Sequence, residues 1–312
     1  MRKRLQPWQL AVLVVLLCAV ALGVGYWWLT PPAYDAARLL SALPEDRATL
    51  LYLDAGALRK AGILDLVAGS KAVEEPEYRK FVEQTGFDYR TDLDAVAASF
   101  APGGTYFTVR GRFHWKQLSA YAESQGGQCH DTICTMAGSA PDRKISFYPL
   151  QSNVLAMAVA PQPTAVTRIA AGHGTQSGNP APALANEPVW ISVPPPVFES
   201  LDAFPGGTRS FLSPLARAAK ITFSAGPKGG GIELRLEVTC ATPEMAAELV
   251  QKLSDTTGLL KKMLGREHLT PNPRDLSGVL VAGSFEQRQT QVIGTWPIER
   301  GFVEALANGQ IQ

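Results

Sequence analysis

Charge is scarce in this chain, and neither sign prevails. Charged residues make up 18% of 312 residues, 29 basic against 28 acidic, for a net charge of +1. That balance lacks the electrostatic footprint of a nucleic-acid binder, so no nucleic acid is expected among its partners. Cysteine is scarce too, with four residues, too few for a small disulfide scaffold. The histidines His114, His130, His173 and His268 include no pair at helical metal-ligand spacing, and surface or capping roles are expected for them. No Gly-x-Ser-x-Gly elbow, His-Glu-x-x-His helix or Ser-x-x-Lys motif occurs. The glycine-rich turns Pro102-Gly103-Gly104-Thr105 and Pro205-Gly206-Gly207-Thr208 lack the lysine of a phosphate loop. No catalytic residue, metal ligand set or cofactor follows from the sequence, and the chain is not read as an enzyme.

What is present begins with one long apolar run. Between Pro7 and Leu29 no charged residue occurs. A helix of about 23 residues spans roughly 34 Å, enough for a hydrocarbon core of about 30 Å. Trp8 at one end and Tyr26, Trp27 and Trp28 at the other suit the two membrane–water interfaces. Arg2, Lys3 and Arg4 precede the run, so the positive-inside rule keeps the N-terminus cytosolic and sends the rest across. Residues 1–6 are thus a cytosolic tail, 7–30 a transmembrane signal anchor in contact with the lipid bilayer, and 31–42 a stalk opened by Pro31 and Pro32. The rival reading is cleavage after Ala21, since Ala19-Val20-Ala21 has the small-x-small pattern, but it lies inside the apolar run. Cys18 reads as a small apolar residue of the membrane helix. The expected location is the inner (cytoplasmic) membrane, with the bulk of the chain periplasmic. Removing Arg2, Lys3 and Arg4 from the net charge leaves −2 for that exported part.

The exported part divides at a composition change. Residues 172–188 are rich in Gly, Ser, Asn, Pro and Ala, without apolar periodicity, as in a linker. They separate a first α+β half, 43–171, from a second, 189–307, with a polar tail at 308–312. Each half reads as strand, helices, hairpin, helix, strands, helix. Expected strands include Thr49–Asp54, the hairpin Ala95–Phe100 with Thr105–Arg110, and strands near Gln128–Met136, Lys144–Tyr148 and Val154–Val159. In the second half they include Val189–Val193, Lys220–Ala225, Gly231–Cys240, Gly278–Glu286 and Gln291–Trp296. Helices are expected over 55–67, 76–85, 114–124, after Pro163 to about Ala171, near 195–202 and 209–216, from Pro243 to Gly265, and over 297–306. The fold class is α+β: an N-terminal transmembrane helix, then two duplicated layers of helices on antiparallel sheets.

The most pointed cluster is Cys129-His130-Asp131-Thr132-Ile133-Cys134. With Asp131-Thr132 as a two-residue turn, the cysteines face each other at a non-hydrogen-bonded position. There the Cα atoms are about 4.5 Å apart, short but acceptable for a disulfide. A disulfide between Cys129 and Cys134 is favoured. Free thiols, or a metal or redox site, stay open as alternatives, although C-x₄-C matches neither pattern. Cys240 continues the inward row of its strand and reads as a small buried residue. Asp88, Asp92 and Asp94 alternate in a loop as a calcium site requires, but Arg90 stands among them and a solvated turn is favoured.

Leu43-Pro44-Glu45-Asp46, followed by Leu51-Tyr52-Leu53-Asp54-Ala55-Gly56-Ala57-Leu58-Arg59, resembles the start of uncharacterised, exported bacterial proteins of unknown function. Tyr78–Tyr89, with Asp92-Leu93-Asp94 after it, is similar to the same group. The resemblance implies an envelope-facing setting and brings no catalytic residues. The resulting expectation is a membrane-tethered extracytoplasmic binding or scaffold protein with an envelope protein or ligand as partner. Two other readings compete: a carrier of lipid or another apolar ligand in a curved-sheet cavity, and an enzyme with an unfamiliar site between the halves.

Overall fold

Val189–Val193 and Thr49–Leu53 are the first strands of their respective halves, and each has a short apolar-rich sequence with two edges to satisfy. A computed structural model describes residues 34–64, 76–169, 187–199, 209 and 212–307. In chain order the first half comprises α1 (Ala36–Ser41), β1 (Thr49–Leu53), α2 (Ala55–Lys60), α3 (Pro76–Thr85), α4 (Tyr89–Asp92), β2 (Leu93–Ala101), β3 (Gly104–Gly111) and α5 (Trp115–Ser124). It continues through β4 (Gln128–His130), β5 (Ile133–Ala137), β6 (Lys144–Gln151), β7 (Val154–Ala160) and a 3₁₀ turn at Ala165–Arg168. The second half has β8 (Val189–Val193), 3₁₀ turns at Pro195–Glu199 and Ser213–Arg217, β9 (Lys220–Lys228) and β10 (Gly231–Thr239). It ends with α6 (Pro243–Arg266), α7 (Leu276–Val281), β11 (Ser284–Arg288), β12 (Gln291–Ile298) and α8 (Arg300–Ala307).

The strands form one twelve-stranded antiparallel sheet in the order β11-β12-β10-β9-β8-β1-β2-β3-β7-β6-β5-β4. This corrects the expectation of two separate layers. β1 gives one edge to β2 and the other to β8, with Leu50 opposite Ser192 and Tyr52 opposite Trp190. Neither half is left with an open inner edge, the exposure that invites pairing with other chains. Outward from that seam the two halves follow the same course. β1, β2, β3, β7 and β6 on one side correspond to β8, β9, β10, β12 and β11 on the other, and the β4–β5 hairpin is an addition at the first half's outer edge.

Register is continuous across all twelve strands. One row of cross-strand partners runs Phe285–Gly294–Leu236–Phe223–Ile191–Leu51–Ala98–Phe107–Met157–Phe147–Cys134–Cys129. It contains no polar side chain. A one-residue slip of any strand would move its apolar set to the opposite face. The neighbouring row lies on that opposite face and runs Ser284–Thr295–Arg235–Ser224–Trp190–Tyr52–Ala97–Thr108–Ala156–Tyr148.

Helices cover the apolar face at its two ends. In the second half α6 lays Ala246, Leu249 and Leu253 against Leu236, Val238, Cys240, Val292 and Trp296. Thr242 caps α6 by accepting from Met245 N at 3.3 Å, and Pro243 starts it. Gly294 lets the Trp296 ring lie across the sheet, since a Cβ there would stand 2.8 Å from it. In the first half α5 sets Leu118 and Ala122 on Cys134 and Phe147. Gly126, at φ +76°, ends α5, and a Cβ on Gly127 would lie 2.3 Å from Thr135 O, so the chain can turn into β4 only with glycine there.

Several expectations need correction. Residues 36–42, read as stalk, include α1, whose Leu39 and Leu40 are fully buried against β1, β2 and β3. The described part of the helix expected after Pro163 is a single 3₁₀ turn, as is that of the one near 195–202; of the one near 209–216, Arg209 and Leu212 are helical and a 3₁₀ turn follows at Ser213–Arg217. Gly278–Glu286 is not a strand throughout: Asp275 accepts from Gly278 N at 2.9 Å and starts α7, and β11 begins only at Ser284. The anchor 7–30 with Trp8, Tyr26, Trp27 and Trp28, the basic Arg2, Lys3 and Arg4, Cys18, Pro205–Thr208 and the tail 308–312 lie outside the described residues. So does the linker, apart from residues 187 and 188. Among the described residues no helix is long and apolar enough to cross a membrane.

Candidate functional site

The seam between the halves holds a cleft. Alternation along β1 and β8 turns Leu50, Tyr52, Trp190 and Ser192 to one face, and β9 adds Lys220 and Thr222 on that face. Leu50, Trp190, Ser192 and Lys220 line an open cleft of about 490 Å³, bounded by Glu45, Arg47 and Ala48 on one side and Val193, Pro194, Pro195 and Ala219 on the other. Trp190 is 1% exposed, and among the described residues its Nε1 has no hydrogen-bond partner. A buried donor left unpaired costs about 1–3 kcal/mol. Arg47 adopts φ +50°, the left-handed region that a non-glycine residue seldom enters, and pairs loosely with Asp46 at 3.9 Å. Among the described residues Glu45 is the one carboxylate of the lining, and no histidine contributes. The sequence reading did not single out this group. The available signal was Trp190 and Ser192 at a spacing of two in an otherwise aliphatic strand, which places an indole N–H and a hydroxyl together on one face.

A second cleft, of about 520 Å³, lies beside α6 and is lined by Arg217, Cys240, Glu248 and Lys252 among others. Burial pushes the Cys240 thiol up, which keeps it protonated and a poor nucleophile. Lys252 bonds Glu248 at 2.5 Å and holds its carboxyl below the usual range. Cys240 is buried, as its strand position implied.

Cys129 and Cys134 are joined by a disulfide, with Cα atoms 4.0 Å apart. The residues pair across β4 and β5 as the turn geometry required: His130 faces Ile133, and Asp131, at φ +54°, takes the turn. With both sulfurs in the bond, neither thiol is free to ligate a metal in this state. Among the described residues no group of three or more His, Cys, Asp or Glu side chains could hold a metal ion.

Two carboxylates of the 88–94 loop, Asp88 and Asp92, serve the chain itself. Asp88 caps α4, accepting from Arg90 N at 2.9 Å and from the Tyr78 hydroxyl at 3.0 Å. Burial and that bond push the Tyr78 phenol up to about 12, so it donates as a neutral hydroxyl. Asp92 accepts from Asp88 N at 2.9 Å and from Arg112 Nε at 3.1 Å. Burial pushes its carboxyl upward, but the Asp88 amide and Arg112 outweigh that and hold it below the ordinary range. Arg59, projecting from α2, donates to the carbonyls of Arg90 and Leu93, and Asp54 caps α2 through Ala57 N at 2.7 Å. The residues that carry the resemblance therefore meet in space and hold α2, α3 and α4 on the sheet.

No family model and no curated protein matches the chain. Among solved structures, three crystal forms of TP0453 follow a similar course. Form I has a TM-score of 0.49 at 9% identity, covering 89% of this chain and 97% of that one. Form III scores 0.48 at 11% identity with 88% and 97% covered, and form IV scores 0.47 at 11% identity with 89% and 96% covered. The likeness is one of fold alone.

Proposed function

We propose that the chain is a membrane-tethered extracytoplasmic binding or scaffold protein of the bacterial envelope. The tether is the apolar run Pro7–Leu29 with its basic flank and aromatic collars. The observation that supports binding is the seam cleft. It is mixed in character, sits where two similarly wound halves meet, and is lined by Ser192 and Lys220 beside apolar side chains. The carrier reading required a large apolar cavity against Ile232–Cys240 and Val154–Val159. The inner side of Ile232–Cys240 is instead packed by α6. Val154, Ala156 and Ala158 are fully buried, and the Ala165–Arg168 turn packs on β7. An enzyme between the halves would need converging acid and base groups at the seam; among the described residues the ionisable groups lining it are Glu45, Arg47 and Lys220.

Reporter fusions after Gln312 test the tether and its direction. Alkaline phosphatase fused there is expected to be active, green fluorescent protein dark, and both fusions retained in the membrane after carbonate extraction. A fluorescent, phosphatase-inactive pair would overturn the orientation, and release by carbonate would overturn the tether.

A further inference from the structure

We infer that the last two turns of α6 dock on an anionic phospholipid bilayer, with Leu259, Met263 and Leu269 entering the interface and Lys261, Lys262 and Arg266 meeting lipid phosphates. The inference rests on the tether proposed above for its supply of bilayer. It starts from a change along α6. Ala246, Leu249, Leu253 and Thr257 are buried, and beyond Thr257 no residue of the helix is. The helix nevertheless runs on to Arg266, and this overhang stays apolar on one flank. Leu259 is 59% exposed and Met263 50%, at a spacing of four that sets them side by side. Leu269, 53% exposed, follows the helix, and its N–H donates to Leu264 O at 2.9 Å, which returns the chain to the helix end. Three of the six large hydrophobics exposed among the described residues thus fall within residues 259–269, a concentration unlike the single scattered apolar residues of an ordinary surface.

Charge changes at the same point. The earlier turns carry Glu244, Glu248 and Asp255, and the last two accept from Lys252 and Gln251. From Thr256 to Arg266 there is no acidic residue. The three basic ones there are exposed and form no ion pair among the described residues. Pairing this patch with its copy in a second chain would oppose like charges, and a neutral apolar partner would leave the cations stranded. An anionic bilayer satisfies both characters. Leucine and methionine leave water at the headgroup boundary, while the lysine and arginine stems bend their charges to the phosphates. Reach favours the same occupant. α1 is part of the fold, with Leu39 and Leu40 buried. Only residues 31–35 separate it from the proposed anchor, a span of roughly 20 Å at full extension. A domain tied that short meets a bilayer at high effective concentration.

The test uses the full chain in phospholipid nanodiscs with ¹³C-methyl-labelled methionine. The chain has five methionines, and Met263→Leu, at an exposed site, assigns the Met263 signal by its loss. Discs of equal parts phosphatidylcholine and phosphatidylglycerol are compared with discs of phosphatidylcholine alone. A doxyl-labelled lipid reports lipid contact, and a water-soluble gadolinium chelate reports exposure. In anionic discs the Met263 methyl is expected to be broadened by the doxyl lipid and shielded from the chelate. Met136, packed under α5, is expected to ignore the lipid. Neutral discs, and the exposed double variant Lys262→Glu with Arg266→Glu, should each reduce the lipid broadening at least about threefold. Broadening of Met263 by the chelate alone in anionic discs would overturn the inference. So would lipid contact that is equal in neutral discs or unchanged in the double variant. Shielding from both agents would assign the patch to protein contact and overturn the bilayer as its occupant. Carbonate extraction reads the tether separately. A chain released by carbonate that still shows lipid contact at Met263 loses the anchor and keeps the docking, and a retained chain without that contact does the reverse.

Discussion

The two halves wind their strands in the same order but cover them differently, and the second sheet face shows it best. In the first half that face is Ala97, Ser99, Tyr106, Thr108, Ala156 and Ala158, all buried. α1 and the Ala165–Arg168 turn press onto it so closely that Thr108 Oγ1 donates to Leu39 O at 2.8 Å, Ser99 Oγ donates to Pro44 O, and Val166 N donates to Ser146 Oγ at 3.2 Å. In the second half the matching positions are mixed: Thr222, Ser224 and Ile293 are buried, but Arg235, Glu237, Thr295 and Ser284 are not, with Arg235 pairing with Glu237 at 2.8 Å and the two hydroxyls bonding at 2.7 Å. A strand buried on both faces carries few charges on either, whereas a face left partly open can carry them in alternation. The same topology therefore runs on two different residue alphabets.

The comparison is broken most directly at the second half's single cover. Leu253, on the buried side of α6, is 1% exposed. Leu253→Ala is expected to cost about 3 kcal/mol, read as a lowered urea midpoint of the second half's amides in hydrogen exchange. A cost below about 1 kcal/mol would mean that α6 is not the principal cover. Next come two matched substitutions on equivalent strands. Ala156→Leu forces extra volume beneath the packed cover of the first half and is expected to cost about 2–3 kcal/mol. Thr295→Leu, on the half-open face of β12, is expected to stay within about 0.5 kcal/mol. Equal costs at the two sites would abolish the distinction between the halves.

How much of this was legible in the sequence follows the same division. The alternation of Ile232, Leu234, Leu236 and Val238 with charged partners marked β10 clearly, because one of its faces meets water. β7 was found as an apolar run, but its alanine side is small for a packing reason that appears only once the turn above it is in place. The turn Asp131-Thr132 fixed the cysteine pairing, since a two-residue connection leaves one register. The β1–β8 pairing was not legible. It joins strands separated by more than a hundred residues, and local pattern names a strand without naming its partner. The seam cleft depends on that pairing, so Trp190 and Lys220 could not be brought together before it was known. α7 was mistaken for a strand because Val279 and Val281 suit either element, and the Asp275 cap decided the matter.

The disulfide sharpens the difference at the outer edges. Only the first half carries the added β4–β5 hairpin, and β4 is three residues long. Closing so small a ring is worth about 2 kcal/mol on the chain-entropy account. Cys129→Ser with Cys134→Ser is expected to raise amide exchange in residues 128–137 and leave β11 and β12 unchanged. Loosening that spreads beyond β6 would show that the hairpin braces the sheet rather than decorating its edge.

The smallest expected effect is acidic. Asp92 has its carboxyl held below the ordinary value, so its contribution is present above the unfolded pKa of about 3.9 and is lost as pH falls through the lower folded value. Acidification from about pH 5 to below 3 should therefore loosen α4 and the start of β2, by less than about 1 kcal/mol because Arg112 is largely exposed. In the second half Glu244 and Glu248 are also held low, the first mainly by backbone amide bonding at the start of α6 and the second by the Lys252 bond. Salt separates the cases. Added salt screens the exposed Glu248–Lys252 pair, but the Asp88 N bond to Asp92 is short-range and only partly exposed, so the first-half response should survive at 0.5 M salt while that of Glu248 fades. Asp92→Asn should remove the pH dependence of exchange around residues 88–93, whereas an unaltered profile would assign it to another carboxylate.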